Sequence, residues 1–230
     1  MTESPHKIAA LLGASGATGR KLLPLLLSDP AYSKVITLSR RATGISHEKL
    51  DERIVDFDDL AAGLRGVSVD DCYCTFGTTI KIAGSEEAMT RIDHGYVMAF
   101  AAWGLSAGAK RFAYLSAANA NAGSSVFYAR LKGQTEEALK ALGFADLSIF
   151  RPSMIIAQRE NRRWAESLLF PLLPILDKLM IGAFTKYRSI PVETLAKAIA
   201  AFSTQSGSGY QTHYWQDMQQ AGRDRKQVLH

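Results

Sequence analysis

Only two cysteines, Cys72 and Cys74, occur in 230 residues. That is too few for a disulfide scaffold, and residues two apart on one strand rarely reach bridging geometry, so both are expected as reduced, buried thiols in a cytoplasmic protein. No further ligands stand beside them at metal-binding spacing, so no metal is expected. Long apolar runs are missing as well. The polar stretch Met1 to Lys7 leads into a few apolar residues that end at a glycine turn, so no signal peptide is expected, and nothing reaches the ~20 residues of a membrane span. Nor is there a long cationic run: the net charge of +5 is spread along the chain, which argues against a nucleic-acid partner.

What is present is an ordinary globular composition, 47% hydrophobic, on a chain long enough to bury its core as one domain, residues 1–230. The chain is organised around Gly13-Ala14-Ser15-Gly16-Ala17-Thr18-Gly19-Arg20. An apolar run through Ile8 to Leu12 precedes it and a leucine-rich segment follows. This reads as a strand reversing into a helix around a dinucleotide pyrophosphate. Glycines serve where the backbone turns tightly, nears the phosphates and packs on the sheet, and the free N–H groups of the first helical turn face the anion. Gly13, Ser15, Gly16, Ala17, Thr18 and Gly19 are therefore candidate cofactor contacts.

Strand and helix then alternate. Thr18 to Ser28 reads as a helix that Pro24 should kink or shift. Lys34 to Ser39 is β-branched and reads as the second strand. A further absence matters at its end: Ser39-Arg40-Arg41 is followed by no acid until Glu48. A carboxylate there would bind the ribose 2′-hydroxyl of NAD, whereas arginine suits the 2′-phosphate of NADP. Ser39, Arg40 and Arg41 thus predict NADP(H) in preference to NAD(H). Arg53 to Phe57 reads as the third strand, with Asp56 and Phe57 placed for adenine, and Asp58-Asp59-Leu60 as a helix start. Ser68 to Phe76 is the fourth, leading to the small turn Gly77-Thr78-Thr79 against the cofactor. From Ser85 to Ala107, Met89, Ile92, Tyr96, Val97, Phe100 and Trp103 mark one long amphipathic helix. Asp93 and His94 are adjacent and face different directions on it, so they read as ordinary helix residues. Lys110 to Ala117 is the fifth strand.

Tyr128 and Lys132 lie at i and i+4, one turn apart on one helical face, and Ser116 precedes them after the fifth strand. This spacing suits carbonyl reduction. Tyr128 is the general acid, its phenol shifted down by the neighbouring ammonium. Ser116 holds the substrate oxygen where negative charge develops. Lys132 also binds the nicotinamide ribose.

With these residues in place, the chain resembles the Tat-interacting-protein oxidoreductases, an atypical short-chain dehydrogenase/reductase family. The resemblance rests on the glycine turn, Ser39-Arg40-Arg41, Val55-Asp56-Phe57, Phe76-Gly77-Thr78-Thr79 with Ala83-Gly84, Arg91-Ile92-Asp93, Leu115-Ser116, Tyr128 to Gly133, and Phe150-Arg151-Pro152. It runs through about residue 200. It implies an α/β fold, a doubly wound Rossmann-type parallel sheet flanked by helices, binding NADPH with Ser116, Tyr128 and Lys132 in the reactive positions. Pro24 and Ala117 depart from the family pattern, the latter standing where relatives often carry a second serine.

Leu147 to Ile155 reads as a sixth strand whose Arg151-Pro152 end brings backbone near the nicotinamide. Beyond it, the leucine-rich stretch within 159–189 is too broken by prolines and charges to cross a bilayer. It is expected to cover the substrate, with a membrane-surface contact or an oligomer interface as the other roles open to it. A helix follows Pro191 to Phe202, then a flexible loop from Ser203 to Gly209, a last strand from Tyr210 to Trp215, and a disordered polar tail from Asp217. The expected protein is a monomeric or homodimeric reductase of a small or apolar carbonyl compound. A non-enzymatic NADPH-binding regulator acting through a protein partner is the alternative. Sugar-nucleotide epimerases and dehydratases rank below both, because they usually carry a larger substrate domain.

Overall fold

The computed structural model describes residues 7–60, 64, 66–157, 177, 180–202 and 208–228. Strand β1 (Lys7–Leu12) enters helix α1 (Ala17–Leu27), followed by β2 (Tyr32–Ser39), β3 (Leu50–Ile54) and β4 (Asp71–Cys74). Short helices α2 (Ile80–Ala83) and α3 (Glu86–Thr90) lead through a π-helical turn, Arg91–Tyr96, into α4 (Val97–Ser106). Then come β5 (Arg111–Leu115), α5 (Phe127–Ala141), β6 (Asp146–Phe150), β7 (Ile155–Ile156), β8 (Ile190–Pro191), α6 (Val192–Ala201), β9 (Gly209–His213) and α7 (Trp215–Val228).

Seven strands form one sheet in the order β3-β2-β1-β4-β5-β6-β9, and every adjacent pair is parallel. Parallel strands need crossover connections that lie on the sheet faces, so the sheet is covered on both sides. The period of two then divides the core. Ala10, Leu12, Cys72, Cys74 and Phe112 pack toward Val97, Phe100 and Leu139. Ala9, Leu11, Tyr73 and Ala113 pack toward Leu22, Leu26, Leu195, Ile199 and Met218 on the other face. Both cysteines are free and buried, as expected.

Buried polar groups gather at the amino ends of the strands. Tyr32 donates its hydroxyl to Asp71 at 2.6 Å and lies 2.8 Å from the Tyr73 hydroxyl. Arg111 spans Asp71 and Asp146 at 3.6 and 3.1 Å. This leaves the carboxyl ends of the strands for chemistry, the usual ligand side of an open α/β sheet.

Several sequence expectations are corrected. Helix α1 keeps its start and runs through Pro24 to Leu27, because proline removes one N–H bond and the remaining turns are held by Leu22, Leu23 and Leu26 in the core. Asp58 and Asp59 belong to a 3₁₀ turn, Phe57–Asp59. The sixth strand ends at Phe150, and Ile155–Ile156 pairs instead with Ile190–Pro191 in a separate two-stranded sheet. The segment from Asp217, expected as a disordered tail, is helical: Met218 is buried against α6 and Trp215 Nε1 donates to the Ser189 carbonyl at 2.8 Å. Residues 158–176, 178–179 and 203–207, which hold most of the expected cover and loop, lie outside the described residues. Among the described residues no helix is long and apolar enough to cross a membrane.

The edge strand carries a titrating group. His213 stacks on Phe150 with ring centroids 4.7 Å apart, and its Nε2 lies 3.1 Å from Ser148 Oγ. Burial holds this imidazole below its ordinary value of 6.5, against the opposing pull of Asp217 and Asp146. A depressed folded pKa means the neutral ring stabilises the fold above pH 6.5, and that stability is lost as pH falls through the folded pKa. The thermal midpoint is therefore expected to drop on acidification below about pH 6.5, and His213→Gln to flatten that slope. His94, which burial shifts the same way, contributes to the slope that remains.

Candidate functional site

At the end of β1 the backbone turns at Gly13, whose φ of 98° disfavours any side chain. A Cβ built on Gly13 would fall 2.7 Å from the backbone of Thr75 and Phe76, and one on Gly19 would fall 2.0 Å from the Gly13 carbonyl oxygen. These two glycines are required by the protein's own packing. Gly16 differs: it caps α1 with φ −74°, and an added Cβ would meet only the Gly13 oxygen, at 3.4 Å. No side chain caps this helix and no acid sits in its first turn, so its N–H groups and partial positive charge face outward. A bare Gly16 over an uncapped helix start fits an approaching pyrophosphate.

A cavity of about 610 Å³ opens at this point. Of the candidate cofactor residues, Gly13, Ser15, Gly16, Arg40, Asp56, Phe57, Gly77 and Thr78 wall it together. Ala17, Thr18 and Gly19 form the helix start behind that wall, with Thr18 and Gly19 buried. Ser39 is buried and donates its hydroxyl to the Arg41 carbonyl at 2.6 Å, which fixes the turn after β2. Arg41 is exposed and off the wall. Thr79 is the N-cap residue of α2. The cavity also takes residues that sequence reasoning missed: Thr75, Ile82, Arg91 and Tyr96. Tyr96, read from sequence as one apolar position of the amphipathic helix, lies 5.4 Å from the Phe57 ring and donates its hydroxyl to Asp58 at 2.8 Å. Arg91 pairs with the same carboxylate.

A second cavity, of about 320 Å³, is walled by Ser116, Tyr128, Pro152, Ser153, Ile155 and Tyr187 among others. Ser116 follows β5, and its backbone N–H donates to the Phe150 carbonyl at 2.8 Å. Tyr128 stands in the first turn of α5, 38% exposed. Two of the three reactive candidates thus meet in one hollow.

Lys132 is only 3% exposed and turns away from that hollow. Its Nζ lies 2.9 Å from Asp93 Oδ1 and donates to the Tyr114 hydroxyl at 3.1 Å. Burial opposes the charge, yet Tyr114, Asp93 and Tyr128 together hold the ammonium above the ordinary lysine value. Asp93 is fully buried, and its Oδ2 accepts the Thr78 N–H at 2.8 Å. Asp93 and His94 thus face different directions, as expected, and pairing across elements supplies Asp93 with a partner that local spacing does not reveal. His94 does stay apart, its Nδ1 3.1 Å from Thr135 Oγ1.

A turn further along α5, Glu136 accepts the Ser116 hydroxyl and pairs with Arg151, whose Nε donates to Oε1 at 3.0 Å. Arg151 also donates to the Tyr214 hydroxyl at 2.9 Å. The Arg151 side chain is thus engaged beneath the site, while Pro152 reaches the cavity wall. Tyr128, Lys132 and Glu136 form one stripe at i, i+4 and i+8. It carries a proton donor and two buried, internally balanced ion pairs.

A third hollow, of about 230 Å³, lies behind the sheet edge. Its His213 and Asp217 are occupied with Ser148 and the Tyr214 N–H. Among the described residues no group of three or more His, Cys, Asp or Glu is arranged to hold a metal.

No protein-family model matches the chain. Among curated proteins it is 32% identical over 213 residues to Protein HTATIP2 of Rattus norvegicus, covering 89% of this chain and 84% of that protein. It is 36% identical over 180 residues to Protein fmp52, mitochondrial, of Aspergillus fumigatus, covering 75% and 77%. Among solved structures, MoeE5 in complex with UDP-glucose and NAD gives a TM-score of 0.65 at 16% identity over 89% of this chain and 74% of that one. The oxidoreductase ylbE from Lactococcus lactis gives 0.65 at 14% identity over 97% and 98%. These two likenesses are of fold.

The contrast between glycines is testable by urea unfolding. Gly19→Ala is expected to cost about 1–3 kcal/mol or more through overpacking, whereas Gly16→Ala stays within about 1 kcal/mol of wild type.

Proposed function

The chain belongs to the HTATIP2 and FMP52 family of atypical short-chain dehydrogenases/reductases, proteins with an NAD(P)-binding Rossmann fold, and from that premise we propose that it is an NADP(H)-dependent reductase of a small or apolar carbonyl compound. The observation that carries this reading is the stripe on α5. Tyr128 shares a cavity with Ser116, and Lys132, one turn on, lies under the glycine that walls the nucleotide-sized cavity.

Gly13, Ser15 and Gly16 with the start of α1 hold the pyrophosphate, and Asp56, Phe57 and Tyr96 flank the adenine. Arg40 takes the 2′-phosphate, since it is the arginine of its pair that reaches the cavity wall. When bound, the reduced nicotinamide supplies a hydride. The Tyr128 phenol gives a proton to the carbonyl oxygen as charge develops there. Rotation about one torsion turns the Ser116 hydroxyl from Glu136 to that same oxygen, where a positioned donor stabilises negative charge. Lys132 keeps a positive charge one turn from the phenol and, beneath Gly77, next to the wall against which the nucleotide lies. The cavity of about 320 Å³, with Ile155, Pro152 and Tyr187 in its wall, suits a compact, largely apolar substrate.

Two measurements test this. NADPH oxidation is followed over a panel of aldehydes, ketones and quinones, and Tyr128→Phe is expected to lower kcat/KM for any substrate found by about a hundredfold or more. Turnover unaffected by that change, or nucleotide binding with no turnover across the panel, overturns the reductase reading; the second result favours a nucleotide-binding regulator. In direct titration, Arg40→Ala is expected to weaken NADPH by about tenfold and leave NADH unchanged. Arg41→Ala should have the smaller effect.

A further inference from the structure

Building on the nucleotide reading above, we propose that Asp93 sets which oxidation state of the nicotinamide nucleotide the site prefers: by cancelling the Lys132 ammonium, its carboxylate keeps the site hospitable to the positively charged oxidised ring.

The pair lies close beneath the cavity wall. Gly77 and Thr78 form part of that wall. Asp93 accepts the Thr78 N–H at 2.8 Å through one oxygen and meets Lys132 Nζ at 2.9 Å through the other. A Cβ built on Gly77 would stand 3.0 Å from Asp93 Oδ1 and 3.5 Å from Lys132 Nζ. The two charges therefore lie directly against Gly77, a residue of the cavity wall. Both side chains are buried, at 0% and 3% exposure, so solvent screens them poorly and their field reaches across that wall.

The charge balance depends on Asp93. The other close polar groups around Lys132 are neutral: the Tyr114 hydroxyl accepts from it at 3.1 Å, and burial pushes the Cys74 thiol up to about 12. The next buried carboxylate, Glu136, is taken by Arg151. Without Asp93, a bare ammonium would sit beneath Gly77. NADP⁺ and NADPH carry the same phosphates and differ in ring charge, so the ratio of their affinities reads the local charge directly. A merely structural role for Asp93 would change both affinities together.

The experiment titrates the full-length protein with NADPH and with NADP⁺, comparing wild type with Asp93→Asn, Asp93→Glu and Lys132→Met. Asp93→Asn should raise the ratio Kd(NADP⁺)/Kd(NADPH) by about tenfold, since a unit charge at short range in a buried site is worth at least that factor. Lys132→Met, which leaves the carboxylate in excess, should lower the ratio by a similar factor. Asp93→Glu should stay within about twofold of wild type. If Asp93→Asn does not fold, the lysine variant alone decides by its sign. Parallel changes in both affinities, or a ratio unmoved by either charge-removing variant, overturn the inference while leaving nucleotide binding intact. Failure of the wild type to bind either nucleotide overturns the nucleotide reading itself, and this inference with it.

Discussion

A strand that must lie parallel to its neighbour has to return across a face of the sheet before it can pair. In this chain that constraint holds for all seven strands of the main sheet, and the rest of the structure depends on it. It buries both faces and gathers the carboxyl ends of β1, β4 and β5 at one rim. The residues at that rim come from distant parts of the chain, yet the contacts that set them are short. The Gly13 turn abuts Thr75 and Phe76 after β4, and Ser116 is tied to Phe150 at the end of β6. The glycine turn is therefore a packing joint, at Gly13 and Gly19, while Gly16 leaves the uncapped start of α1 open toward the cavity.

Behind the rim, electrostatics organise the second layer. Lys132 and Glu136, both on the α5 stripe, are buried and paired with Asp93 and Arg151 respectively. Such pairs add little net stability because desolvation offsets their attraction, but removing one partner is costly. Their effect here is to fix orientation. Each ties helix α5 to another element: the π-turn and the loop after β4 in one case, the end of β6 in the other. The amino ends of the strands hold a separate polar cluster around Asp71, so charge sits at both ends of the sheet and hydrocarbon fills the middle.

The succession of strands and helices along the chain was largely readable from sequence because the signals are local: period-two apolar runs, glycine spacing and helical leucine patterns. The glycine turn, Arg40, Asp56, Phe57 and the Ser116 and Tyr128 pairing were readable for the same reason. The partners of Lys132 were not. Adjacent residues on an ideal helix diverge, and that rule set Asp93 aside, but the structure answers a different question, namely what each residue meets across the fold. Tyr96, counted among the apolar positions of its helix, both packs against the core and walls the cavity, a second contact that its spacing does not reveal. Helix α7 was hidden by composition: its polar residues outnumber the few, Trp215 and Met218, that anchor it. Arg41 and Thr79 fell off the wall because an extended or turning backbone sends neighbouring side chains to opposite sides.

The π-turn from Arg91 to Tyr96 can also be considered as a matter of counting residues. A π-turn holds one more residue than the α-turn it replaces, so α3 and α4 are out of phase with each other by that surplus. Deleting a single residue from this turn would restore an unbroken α-helix, leaving α3 and α4 in place and shifting only the positions inside the turn, Asp93 among them. Asp93 would then leave Lys132 without any substitution at either position. The length of this segment is thus as much a specification of the site as the identity of its side chains, and an insertion or deletion within it tells more about the site's integrity than most point changes elsewhere on the helix.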